Sequence, residues 1–335
     1  MKILIVDDSA LLRNILKQVL HEKSDITVAA EATNGQQAVE LCASAAPDLV
    51  IMDINMPLMD GITATAEIMK TRPVPVLILS SEVDSANSFR ALKNGALEVM
   101  RKPEIDQFNN PDFYRDFIEK IRVLAAVPVS RSSESAGGVG GGSGAKADYR
   151  MIVMGASTGG PLTVCSILEK LPPDYPLGIA LVQHLERGFD KGFAEWLGSE
   201  TRLKARIADR GALPGPGEVH IAPAGRHLAV RAGKLTVEDG APVLNQKPSV
   251  DVLFKTAAES FHSGLLGVLL TGMGTDGADG CVEILARGGT TLVQDKSTST
   301  IFGMPRAAIE KHGATHVLPA PEIAEYLLKL ADRTG

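Results

Sequence analysis

Cysteine is scarce in this chain, with three residues in 335. Cys42, Cys165 and Cys281 are an odd number, lie far apart and sit in apolar stretches without metal-ligand spacing. That pattern excludes a disulfide framework and reads as reduced core thiols. Long hydrophobic runs are missing too: none approaches the ~20 residues a membrane helix needs, so no membrane insertion is expected. A basic surplus is also lacking, because the net charge is −6 and the acidic excess falls in the first 127 residues. Without a basic stripe, nucleic-acid binding by phosphate neutralisation is not expected, which leaves protein or small-molecule partners. The opening MKILIV runs straight into Asp7-Asp8, too short and too soon acidic for a secretory signal, so a cytoplasmic location is expected. No repeat of fixed period is present. What remains is ordinary globular composition, 44% hydrophobic and 22% charged. At roughly 100 to 200 residues per domain, the length predicts two domains.

The division falls at residues 127–148, VPVSRSSESAGGVGGGSGAKAD, dense in Gly, Ser and Ala and nearly devoid of large apolar side chains. Such a segment cannot offset the entropy of ordering its backbone by burying apolar surface, and it reads as a flexible linker between domains at 1–126 and 149–335. Before it, apolar runs at 2–6, 27–32, 48–54, 75–80 and 97–101 alternate with helical-period segments at 10–21, 35–46, 61–71, 84–94 and 112–126. That alternation predicts a doubly wound parallel α/β sheet. After the linker it resumes with strands at 151–156, 178–184, 205–209, 264–270 and 290–295 and helices between them. A β-rich insertion is predicted from EVHIAP at 218–223 and two runs folding as a hairpin around Gly233. The second domain is therefore also expected to be a mainly parallel α/β sheet.

Open parallel sheets collect ligands beyond the carboxyl ends of their strands. In the first domain those ends carry Asp7-Asp8, Asp53 followed by Ile54-Asn55, Ser80, and Lys102-Pro103. Three carboxylates at one edge repel one another strongly at low dielectric and call for a cation. Mg²⁺ fits, since it prefers hard oxygens and keeps open positions for phosphate. A lysine on the same edge would neutralise phosphoryl oxygens, and a hydroxyl could donate to them.

In the second domain the strand MIVM enters Gly155-Ala156-Ser157-Thr158-Gly159-Gly160-Pro161, a serine on a small-residue turn between strand and helix. That is the setting of a nucleophile elbow. Glycine-rich strand-to-helix turns also bind phosphate, so a phosphate or nucleotide cradle stays open, as does a non-enzymatic output domain. Neither GxGxxG nor a Walker lysine is present. A serine nucleophile needs a base. Of the six histidines beyond the linker, only His184 ends a long buried-type strand, and that strand directly follows the Ser157 unit. The orienting acid is expected on the glycine-rich loop of GVLLTGMGTDGADG as Asp276, with Asp279 better placed as the N-cap of the following helix.

The first ~125 residues resemble the response-regulator receiver family in residue type and order. That resemblance implies Asp53 as phosphoacceptor, with Asp8, Asp53 and the Asn55 carbonyl holding Mg²⁺ and Asp7 nearby. It further implies Ser80 as switch hydroxyl, Lys102 as phosphate partner, a histidine kinase as phosphodonor and a cis peptide before Pro103. GASTGGP, VQH, TGMGTDG and FGMPRAA, with a receiver upstream, resemble the chemotaxis response regulator protein-glutamate methylesterase (CheB) family. This resemblance implies Ser157 as nucleophile, His184 as general base and acid, Asp276 as orienting group and the Met273 amide as oxyanion donor. It also implies hydrolysis of glutamyl methyl esters on methyl-accepting chemoreceptors, deamidation of receptor glutamines, and no cofactor for the ester chemistry.

Overall fold

The computed structural model describes residues 1–80, 85–129, 148–211 and 213–331. Nearly all of the expected linker, residues 130–147, lies outside the described residues. The chain forms two compact units, Met1–Val139 and Gly140–Gly335.

The first unit runs β1 (Lys2–Val6), α1 (Ala10–His21), β2 (Thr27–Ala32), α2 (Gly35–Ala45), β3 (Leu49–Asp53), α3 (Gly61–Thr71), β4 (Val76–Ser80), α4 (Ser85–Lys93), β5 (Glu98–Arg101) and α5 (Pro111–Ala125). Its helices begin where short polar side chains satisfy first-turn amides: Ser9 for α1, Asn34 for α2, Asp60 for α3 and Asn110 for α5. The strands form one parallel sheet in the order β2-β1-β3-β4-β5. β1, β3 and β4 are almost wholly buried because helices cover both faces. Strand order reverses between β1 and β3, so a crevice opens beyond their carboxyl ends, where Asp7 and Asp53 lie.

The second unit continues with β6 (Met151–Ala156), α6 (Gly160–Leu168), β7 (Ile179–Gln183), α7 (Asp190–Glu200), β8 (Lys204–Ile207), β9 (Glu218–Ile221), β10 (His227–Arg231), β11 (Lys234–Glu238), α8 (Val250–Phe261), β12 (Leu265–Leu269), α9 (Ala278–Ala286), β13 (Thr290–Gln294), α10 (Met304–Glu310), β14 (His316–Leu318) and α11 (Ala320–Ala331). Seven strands make a sheet of order β14-β13-β12-β6-β7-β9-β8, and every pairing in it is parallel. The reversal here falls between β6 and β12, which places the crevice beside Ser157 and the loop that follows β12.

One local expectation is corrected. EVHIAP does not belong to an insertion: as β9 it lies inside the main sheet, paired with β7 and β8. The connection from β8 to β9 contains no helix among its described residues, so the usual marker of a parallel crossover is missing from the sequence. His316 lies on the three-residue β14. The antiparallel hairpin β10–β11 forms a sheet of its own, turning at Ala232 and Gly233, both at positive φ. Its buried Leu228, Val230, Leu235 and Val237 share a core with Val250, Leu253 and Phe254 of α8.

Candidate functional site

In the first unit, parallel strands end level with one another, which brings distant carboxylates together. Asp7, Asp8 and Asp53 offer ligand oxygens that all lie within 4.8 Å of one another. Lys102 reaches over from the end of β5, its Nζ 2.7 Å from Asp7 Oδ2 and 2.7 Å from Asp53 Oδ2. Asp7 and Asp53 are buried, whereas Asp8 and Asn55 are exposed. Ser80 ends β4, is buried, and its carbonyl accepts from the Lys102 amide at 2.8 Å. The peptide bond before Pro103 is trans, since the cis bond among the described residues is Lys247–Pro248.

Burial pushes the Asp53 carboxyl above its ordinary value, outweighing its hydrogen bond from Lys102. Burial works against the Lys102 ammonium as well, but the hydrogen bonds and charges of Asp53 and Asp7 prevail and hold its pKa above the usual lysine value. Three hard oxygen donors at this separation, two of them buried around a single ammonium, fit a small divalent cation.

The raised Asp53 pKa carries a stability consequence. A carboxyl whose folded pKa exceeds its unfolded value contributes fully below the unfolded value, near 3.9, and that contribution is lost as pH rises through the folded pKa. Asp53→Asn mimics the protonated acid. At neutral pH without Mg²⁺ it is expected to raise the melting temperature of the first unit by ~2–5 °C, measured by thermal unfolding. A lower melting temperature would contradict the assignment of burial as the dominant influence.

In the second unit the register pairs Ala156 of β6 with Gln183 of β7, so Ser157 and His184 are the next residues on neighbouring strands. The His184 amide donates to the Ala156 carbonyl at 2.9 Å. Gln183 ties the two strand ends together, its Nε2 donating to the Ser157 carbonyl at 2.8 Å and the His184 carbonyl at 3.2 Å. Gly159 takes a left-handed φ of 74°, and α6 begins at the next residue. Gly272 is required for close packing, since a Cβ there would stand 2.7 Å from Ser157 Cβ.

His184 Nε2 lies 2.8 Å from Asp276 Oδ2. A carboxylate can only accept here, so Nε2 carries the hydrogen and Nδ1 of the neutral ring has the free lone pair. Nδ1 is buried without a partner among the described residues. Ser157 is half-buried, and its hydroxyl makes no hydrogen bond among the described residues. Ser157 and His184 are thus neighbours that are not hydrogen-bonded to each other, an arrangement common before substrate tightens a site.

Asp276 is seated at the start of α8. Its Oδ1 accepts from Ser249 Oγ at 2.8 Å and the Asp251 amide at 3.0 Å, and its Oδ2 accepts from the Val250 amide at 2.7 Å as well as from His184. Burial raises its pKa, but the His184 contact and these backbone donors overcome that and leave the carboxyl below its ordinary value. Met273, on the same loop, is partly buried, and its amide makes no hydrogen bond among the described residues.

Asp279 is not the cap of α9. It lies in the helix's first turn, exposed and paired with Lys311. The vacant capping task falls to Asp251 on α8, whose buried carboxylate accepts from the Gly277 amide at 3.1 Å and the Gly280 amide at 2.7 Å. Sequence reasoning missed Ser249, Asp251 and Gln183. The one readable signal was Ser249 directly before an apolar helical run, an N-cap pattern whose second task on Asp276 has no local signature.

Residues 152–327 match the CheB methylesterase family. This chain belongs to it. Residues 3–109 of this CheB-family chain match the response regulator receiver domain. It is 38% identical over 348 residues to a "Protein-glutamate methylesterase/protein-glutamine glutaminase 2" of Methanospirillum hungatei JF-1, covering 99% of each chain. It is 41% identical over 330 residues to the protein of the same name from Anaeromyxobacter dehalogenans, covering 98% of this chain and 96% of that one. Among solved structures, the Thermotoga maritima CheB methylesterase catalytic domain is similar with a TM-score of 0.52 and 39% identity, over 54% of this chain and 98% of that one.

Proposed function

We propose that this chain is a phosphorylation-regulated serine hydrolase of chemotaxis adaptation. It removes methyl groups from glutamyl methyl esters of methyl-accepting chemoreceptors as methanol, and deamidates receptor glutamines to glutamate. The observation that carries this reading is the buried His184–Asp276 pair, 2.8 Å apart, at the strand end beside Ser157. The names borne by its full-length relatives support the same substrate class.

In this reading Ser157 Oγ attacks the ester carbonyl carbon while His184 Nδ1 takes its proton. The ring reaches Asp276 through Nε2, so Nδ1 is the nitrogen left for the serine. Asp276, ionised at neutral pH, stabilises the imidazolium that forms. The unpartnered Met273 amide donates to the developing oxyanion, a contribution of ~10² to 10³ in rate. The Nδ1 proton passes to the leaving methoxide, and methanol departs from the acyl-enzyme. Water then attacks with His184 as base, releasing the receptor carboxylate and free Ser157. With glutamine, ammonia leaves in place of methanol.

The domain limits we assign are 1–126 for the receiver, 127–148 for the linker and 149–335 for the catalytic domain. In the receiver, Asp53 is the phosphoacceptor from a histidine kinase, Lys102 pairs with the phosphoryl oxygens and Ser80 supplies the switch hydroxyl. Asp8, Asp53 and the Asn55 carbonyl, with Asp7 beside them, would hold Mg²⁺, which supplies charge neutralisation for phosphoryl transfer. The ester chemistry assigned to Ser157, His184 and Asp276 uses no cofactor. No helix among the described residues is long and apolar enough to cross a membrane, and we place the protein in the cytoplasm, acting on receptors from that side.

The test is release of labelled methanol from methylated receptor membranes, with and without a small acyl phosphate and Mg²⁺. Methanol release that rises about tenfold with the phosphodonor is expected, and Asp53→Asn should abolish the increase. A population shift of that size corresponds to ~1.4 kcal/mol of differential stabilisation. No methanol from the wild-type protein would overturn the hydrolase reading. An increase that survives Asp53→Asn would overturn the assignment of the phosphoacceptor.

A further inference from the structure

His227 lies at the start of β10 on the hairpin and is 3% exposed. Its two ring nitrogens face groups whose roles cannot be exchanged. Nε2 is 2.9 Å from the Ala241 carbonyl, which can only accept, so Nε2 carries a hydrogen. Nδ1 is 3.2 Å from the backbone amide of Ser249, which can only donate, so Nδ1 carries none. The surroundings of His227 therefore fix which ring nitrogen donates and which accepts.

Ser249 passes that constraint on. Its amide is fixed on His227, its side chain is fully buried, and its hydroxyl donates to Asp276 Oδ1 at 2.8 Å. The same hydroxyl oxygen accepts from the Val252 amide at 3.4 Å, as the cap of α8. With Oδ1 held by Ser249 and the Asp251 amide, the carboxylate cannot rotate, and Oδ2 stays aimed at His184. Every donor and acceptor from the Ala241 carbonyl to the His184 ring is thus determined.

We infer that His227 is a positioning residue for the ester hydrolysis, acting through Ser249 to hold the Asp276 carboxylate in line with His184. This inference rests on the hydrolase reading of the same site. Among the described residues His227 makes its hydrogen bonds to the Ala241 carbonyl and the Ser249 amide and none to Ser157 or His184. Its part is to accept one hydrogen bond from a buried amide that would otherwise be unsatisfied.

The experiment uses the full-length chain and labelled methanol release from methylated receptor, with kcat and KM measured separately and melting temperature as the check on folding. His227→Leu removes the acceptor. It is expected to lower kcat about tenfold with KM within twofold of wild type, the size of effect that loss of one buried hydrogen-bond partner produces. Asparagine has the same number and branching of side-chain heavy atoms as leucine, but its Oδ1 can stand where Nδ1 stands and accept from Ser249, so most of the kcat is expected to return in His227→Asn. Ser249→Ala should show the same fall in kcat, and the double variant His227→Leu with Ser249→Ala should be no slower than the worse single one.

An unchanged kcat in His227→Leu, equal losses in His227→Leu and His227→Asn, or losses that multiply in the double variant would each overturn the inference. Should His227→Leu fail to fold, Ser249→Ala decides: a folded Ser249→Ala with wild-type kcat overturns it. Ser157→Ala run alongside separates the two readings. Methanol release by that variant would bring down the hydrolase assignment itself, whereas an inactive Ser157→Ala beside a fully active His227→Leu would bring down only the role of His227.

Discussion

Ser157→Ala is expected to lower kcat for methanol release by ~10⁴-fold or more while leaving thermal stability close to wild type. The kinetic half of that expectation follows from the nucleophilic role proposed for Ser157. Truncation removes the one oxygen that can form the acyl-enzyme, and the residual rate comes only from binding and the amide donors around the turn. The stability half follows from the packing. The Ser157 hydroxyl makes no hydrogen bond among the described residues, so its loss leaves no buried donor or acceptor stranded. The Cβ that faces Gly272 is retained, so the close approach of the two loops is undisturbed. Labelling by a fluorophosphonate probe should mark wild-type Ser157 and fail with the variant. Near-normal turnover in Ser157→Ala would reject the serine mechanism, and absence of labelling in the wild type would return the glycine-rich turn to the phosphate-cradle reading.

Asp276→Asn is expected to cost both activity and stability. Its kcat should fall by ~10⁴-fold, because a carboxamide neither stabilises the imidazolium nor enforces the tautomer that leaves Nδ1 free. The stability loss arises from the symmetry of the donors around the carboxylate. Oδ1 receives Ser249 Oγ and the Asp251 amide, and Oδ2 receives the Val250 amide and His184. Whichever way an asparagine turns, its NH₂ points at a backbone amide, and two buried donors confront each other at a cost of ~2–4 kcal/mol. Chemical denaturation of the second unit measures this, and a variant as stable as wild type would mean that the carboxylate's donors relax without penalty.

The same carboxylate carries a pH dependence of definite sign. Its folded pKa is depressed below the unfolded value, so its stabilising contribution is fully present above about pH 4. That contribution disappears as pH falls through the folded pKa. Wild-type stability should therefore decline in acid below about pH 4 more steeply than that of Asp276→Asn, which has no group to protonate there.

Some of this molecule can be read without coordinates. The strand and helix limits of the first unit follow from apolar runs and polar caps, and the observed β1, α1, β2 and α3 coincide with the expected spans. Because parallel strands all deliver their ends to one rim, Asp7, Asp53 and Lys102 could be grouped from the chain alone, and the structure places them within ion-pair distance. Other features resisted. Among the described residues no helix separates β8 from β9, so EVHIAP reads as part of an insertion, although hydrogen bonding puts β9 between β7 and β8. Asp279 has the residue type and offset of a cap, yet the acceptor used is Asp251, 26 residues before Gly277 and 29 before Gly280.

The two α/β units, the turn that presents Ser157, and the strand ends that carry the acidic cluster and His184 are all legible in the order of residues. Period, turn chemistry and charge are local properties, and neighbouring residues suffice to express them. Long-range packing, by contrast, is what joins Asp276 to His184 across 92 residues, turns one imidazole nitrogen toward the carboxylate, and sets Ser249 and His227 behind it. A hydrogen bond fixes direction and distance to a few tenths of an ångström. That precision comes from the order in which strands and helices pack, which no stretch of neighbouring residues contains.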